Sequence, residues 1–210
     1  MLEFQAGRWS EAEAALREAV QLNRQLGAAS GEALACQHLG VLLTARGQLD
    51  EALTILEEGL VAAEQASMRV HCLIRLYAAI SRNRLLAGDL AAAGYTLSLG
   101  LSMSERHGHC CTCESLLLPV AVAVLIAQDD LAAAEEYCRQ LDEAAARYGS
   151  RVWLALASQT RGELAAAQGD IEAALNHFRQ AQAEFELAGN SYQAGQCLAA
   201  LERLKQQQEH

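Results

Sequence analysis

"ARGQLDEALTILEEGL", Ala45–Leu60, decides the fold. A glycine precedes a short polar turn, and a run follows in which Leu49, Ala52, Leu53, Leu56 and Leu60 recur at three- and four-residue steps. Such steps place the set on one face of an α-helix. The opening phrase recurs: "GRWSEA" from Gly7, "GQLDEA" from Gly47, "GDLAAA" from Gly88, "DDLAAA" from Asp129 and "GDIEAA" from Gly169, at intervals of 40, 41, 41 and 40 residues. A second mark keeps the same beat at Gly27, Ser67, Gly108, Gly149 and Gly189. Two interruptions per period, with helical periodicity between them, mean one antiparallel helix pair per repeat.

The helix after each phrase carries its own apolar stripe: Trp9, Ala12, Leu16, Ala19 and Asn23 in the first, Ile171, Ala174, Leu175, Phe178, Ala181 and Phe185 in the last. Alanines alternate with large residues, so neighbouring helices can approach closely and interlock. Ser10, Asp50 and Asp170 stand beside the first turn, where they cap it or interact favourably with its dipole. Gly27, Gly108, Gly149 and Gly189 suit the left-handed residue that ends a helix. No single pair buries its apolar face alone, and stacking the pairs makes one continuous core. The expected fold is all-α, a right-handed α-solenoid of about ten helices. It comprises a helix over 6–26, pairs over 28–66, 68–107, 109–148 and 150–188, and a closing helix over 191–206. The chain thus opens on the second helix of a pair, and we expect it to be a piece of a longer protein.

Bulk properties agree. The chain has 210 residues, 52% apolar but only 5% aromatic, with a single proline, which reads as helical rather than β. A net charge of −10 without any basic stripe argues against direct nucleic-acid binding, which rests on cationic contacts to phosphate. The longest apolar run, Leu116–Ala127, is too short to span a bilayer and contains Pro119. No secretory leader opens the sequence, and seven cysteines, an odd number, fit a reducing cytoplasmic setting.

The pattern resembles the tetratricopeptide repeat: Leu39, Gly40, Leu43, Gly47, Leu49, Ala52, Leu56 and Gly59 fall at that family's spacing of large and small residues. Gly162, Gly169, Ala174, Phe178 and Ala181 repeat most of it. Two departures stand out. The period is 40–41 residues instead of the family's shorter one, and the third pair carries Val122, Asp129 and Cys138 where small, glycine and aromatic residues are typical. This longer, Ala/Leu/Gly-rich version resembles the helical-repeat region of LuxR-type (STAND-class) bacterial transcriptional regulators. That resemblance implies a non-catalytic sensor module with a protein, peptide or small effector as partner, and an ATPase and a DNA-binding domain elsewhere in the parent chain. Neither a GxxxxGK[ST] motif nor a basic recognition helix occurs here. No cofactor and no catalytic set is expected.

In such arrays the first helix of each pair lines the concave side. Carried over by register, the groove comprises Gln37, Val41 and Thr44, then Arg75, Ala78 and Arg82, then Leu116, Pro119, Ala123 and Ile126, then Gln159 and Glu163. Arg75 and Arg82, two turns apart, could clamp a carboxylate or phosphate. The alternative is a pair of solvated arginines on an acidic protein. The apolar stretch serves equally as a homodimer contact.

"RHGHCCTCESLLLP", Arg106–Pro119, is the one stretch dense in chemistry. Cys110 and Cys113 lie one turn apart at a helix start, where the dipole favours a thiolate, and with His107 and His109 they form an N/S set suited to zinc. Cys111 points about 100° away along the helix. Packing is the competing reading: Cys72, Cys113 and Trp153 fall in the same slot of successive periods, and free cysteine behaves as a small buried hydrophobe. A thiol redox sensor is the third. His38, His71 and His177 read as lone core-edge or surface histidines.

Overall fold

The computed structural model describes residues 2–208 of the chain. The described residues form eleven helices and no strand: α1 (Leu2–Gln5), α2 (Trp9–Gln25), α3 (Ala29–Ala45), α4 (Leu49–Glu64), α5 (Arg69–Leu86), α6 (Leu90–His107), α7 (Cys111–Ala127), α8 (Leu131–Tyr148), α9 (Arg151–Ala167), α10 (Ile171–Leu187) and α11 (Ser191–Gln208). Ten were expected. The extra one is the short α1, and α2 starts at Trp9 instead of residue 6 because Gly7 turns the chain at φ +80°. α1 also covers Trp9, since Phe4 meets its ring edge-on at 5.3 Å.

Successive helices pack as antiparallel pairs, and the first helices α3, α5, α7 and α9 also pack on one another along the stack. The core is correspondingly a chain of clusters between neighbouring pairs, except that Tyr192 of α11 joins the first cluster beside Phe4 and Trp9. Close approach depends on glycine facing a large residue. A Cβ on Gly40 would lie 2.4 Å from Leu56, and one on Gly59 2.8 Å from Leu76.

The residue after each recurring glycine, or after Asp129 in the glycine's place, is the cap of the following helix: Arg8, Gln48, Asp89, Asp130 and Asp170. Asp89, Asp130 and Asp170 each accept a hydrogen bond at 3.0 Å from the amide three residues on. Ser10 and Asp50 fall one residue inside the helix, so they interact with the dipole without capping. Pro119 lies inside α7, which continues through it to Ala127.

No helix among the described residues is long and apolar enough to cross a membrane.

Candidate functional site

Two of the residues assigned to the groove by register, Arg82 of α5 and Glu163 of α9, act on one another through space without forming an ion pair. Arg82 on α5 is exposed and lies within electrostatic reach of Glu163 on α9. Enclosure pushes the Glu163 carboxyl up, while Arg82, a hydrogen bond from Gln159 and Arg203 of α11 pull it back. The Gln159 amide donates to Glu163 Oε1 at 3.3 Å, and the Gln159 carbonyl oxygen is buried without a partner. Tyr192, also from α11, stands near the same arginine, and burial pushes its phenol up. Tyr192 and Arg203 were not among the groove residues read from sequence, because α11 belonged to no complete pair.

The proposed Arg75–Arg82 clamp is divided. Arg75 is half-buried and directed at its own neighbours: it reaches Gln37 Oε1 at 3.4 Å, His38 Nε2 at 3.3 Å and the Thr112 carbonyl at 3.5 Å. Its Nε is buried with no partner, and burial lowers its pKa. Beside it, burial and then the guanidinium charge push His38 down to about 4, so this imidazole is neutral at physiological pH. Gln37, Thr44 and Ala78 are buried, so they support the groove floor. Thr44 instead accepts from the Asn83 amide at 3.0 Å. Val41, Leu116, Pro119, Ala123 and Ile126 are half-buried, and the apolar stretch of α7 offers only part of its surface to a partner.

In the cysteine-rich stretch the structure brings two of the cysteines together with a histidine of another helix. Cys110 caps α7 and Cys113 lies in its first turn, fully buried. The residue that faces them is His71 of α5, whose Nδ1 lies 3.3 Å from Cys113 Sγ and 3.6 Å from Cys110 Sγ. The three ligand atoms all lie within 4.8 Å of one another. His109 is drawn away, with Nδ1 2.9 Å from Glu114 Oε1, and His107 is exposed on the rim. Cys111 stays outside the group. A signal for His71 existed in the repeat register: if Cys72 and Cys113 share a slot, the start of α5 must lie beside the start of α7.

The two thiols differ in character. Burial opposes ionisation of Cys110, but hydrogen bonds from the Thr112 hydroxyl and from Cys113 outweigh it and hold its pKa below the ordinary value. Burial, reinforced by the hydrogen bond to Cys110, pushes Cys113 up to about 12. Burial and Arg75 keep His71 below its usual value. A pocket of about 420 Å³ opens onto this group, lined by Met68, Val70, His71, His107, Cys110 and Cys113 among others. A larger cleft of about 780 Å³ lies between α8, α9 and α10, but Arg161 there is already neutralised by Asp142 at 2.7 Å and Glu135 at 2.5 Å.

The family model of the MalT-like TPR region matches residues 3–210. The chain belongs to that family. Among solved structures, BtubC (BKLC) from P. vanneervenii is similar at a TM-score of 0.58 and 16% identity, covering 100% of this chain and 92% of that one. A Rap protein complexed with Competence and Sporulation Factor is similar at a TM-score of 0.63 and 12% identity, covering 98% of this chain and 61% of the Rap chain. At these identities the likeness concerns the fold alone. No curated protein matches. As a MalT-like TPR region the chain is a helical-repeat array.

Proposed function

We propose that this chain is a non-catalytic binding module, the sensor region of a LuxR-type transcriptional regulator, which receives a protein, peptide or small effector on its concave side. The observation that carries the reading is the convergence of Arg82, Glu163, Gln159 and Tyr192 from three helices within a MalT-like TPR array. An exposed guanidinium and a half-buried carboxylate beside an unpaired amide carbonyl suit a polar ligand that brings a carboxylate or phosphate together with a donor group. The Rap complex supports this class of use, being a repeat fold of the same kind that holds a named factor. Occupancy acts by altering the curvature between packed pairs, since each pair touches mainly its neighbours. In this reading the attached ATPase and DNA-binding domains of a cytoplasmic parent protein read out that curvature.

Thermal-shift titration with phosphorylated sugars, dicarboxylates and short mixed-charge peptides tests the proposal. A saturable rise in melting temperature that disappears in both Arg82→Ala and Glu163→Gln supports it. A structural scaffold gives the opposite pattern: it retains a protein partner while no small ligand shifts its melting, and the two substitutions leave retention unchanged.

A further inference from the structure

We propose that His71, Cys110 and Cys113 form a zinc(II) site on the rim of the solenoid, with its fourth position open to the adjoining pocket. Tetrahedral zinc with Zn–S of about 2.3 Å and Zn–N of about 2.0 Å holds its nitrogen and sulfur ligands about 3.5 Å apart. The observed nitrogen–sulfur separations of 3.3 and 3.6 Å match this spacing, and the two sulfurs lie within 4.8 Å of each other. Zinc would enter as the two thiols release their protons to solvent, so that two thiolates and a neutral imidazole make a centre of zero net charge. Access comes through the pocket, where Cys110 is half-buried and His107 lines the wall.

The site also joins separate elements. His71 stands at the start of α5 and the cysteines at the start of α7, so the ion would pin the second full pair to the third at one edge. Such a clip goes beyond the groove reading and is independent of it, because none of its ligands belongs to the Arg82–Glu163 cluster.

The test uses the chain purified without a polyhistidine tag, reduced, stripped of metal, and titrated with zinc chloride against a chromophoric chelator. The expected result is one zinc per chain, bound at least about 100-fold more weakly by His71→Gln and by Cys110→Ser, with Cys111→Ser unchanged. Zinc should also raise the melting temperature of the wild-type chain and not that of the two variants. Cobalt(II) gives a reading that needs no variant: a thiolate-to-cobalt charge-transfer band with intense tetrahedral d–d bands is expected. Absence of stoichiometric zinc, an octahedral cobalt spectrum, or equal affinity in all variants overturns the site and leaves the cluster as thiol–imidazole packing.

Discussion

The ring of Tyr192 lies 4.6 Å, centroid to centroid, from that of Phe4, so α11 closes against α1 from the far end of the described chain. Trp9 completes a triangle, 5.3 Å from Phe4 and 5.5 Å from Tyr192. Tyr192 also lies within electrostatic reach of Arg82. Tyr192→Ala should cost about 2–3 kcal/mol, less than a fully buried aromatic because the ring is half-buried. Equilibrium denaturation measures the loss. Trp9 emission, read in a Trp153→Phe background, should shift to the red as the triangle opens. An unchanged emission would mean that the ends do not meet in solution.

Gly40 and Gly195 are both helical glycines, with opposite expectations. A methyl on Gly40 would collide with Leu56 at 2.4 Å, in a core where both residues are fully enclosed. Gly40→Ala should therefore destabilise by about 1–3 kcal/mol. Nothing lies within 4 Å of a Cβ on Gly195, so Gly195→Ala should stabilise by about 0.5–1 kcal/mol through helix propensity and a less flexible unfolded chain. Thermal melts of the two single variants, compared with the parent, decide both signs.

The helix pairs were legible in the sequence because two local signals coincide: glycine at turn positions with positive φ, and large residues recurring against small ones. Leu56 over Gly40 and Phe178 over Gly162 are the packing that the repeated spacing encodes. α1 has four residues and no measurable periodicity, so nothing announced it. The nearness of Arg82 to Glu163, and of Phe4 to Tyr192, depends on small rotations between pairs accumulating along the stack, which no local pattern records. The thiol site was half legible. Its cysteines lie three residues apart, but His71 comes from the preceding pair, while the nearer His109 is drawn to Glu114 and His107 stays on the rim.

Asp129 occupies the turn slot that glycine holds at Gly88, and it adopts φ 62° where Gly88 has φ 83°. A side chain there meets the strain of the left-handed region, which aspartate tolerates better than most residues but not freely. Asp129→Gly should stabilise by about 0.5–1 kcal/mol, the gain being reduced by the greater freedom of glycine in the unfolded chain. Gly88→Ala should destabilise by about 1 kcal/mol or more. Chemical denaturation of the pair checks the prediction, and a destabilised Asp129→Gly would show that the carboxylate contributes a contact beyond its backbone conformation.

His38 should make stability fall with acid in a defined window. Folding lowers its titration from 6.5 to about 4, chiefly by burial and then by the charge of Arg75, 3.3 Å away. Between those values the unfolded chain binds a proton that the folded chain does not, so stability is full above pH 6.5 and declines as pH falls towards 4. The whole loss is on the order of 3 kcal/mol as an upper bound. Glu163 acts with the opposite sign, because its raised carboxyl pKa favours the folded state at low pH. The informative measurement is therefore the difference between two curves: melting temperature against pH for the parent and for His38→Gln. The substitution should flatten the decline between pH 6.5 and 4, and parallel curves would mean that His38 takes up its proton in the folded chain as readily as in the unfolded one.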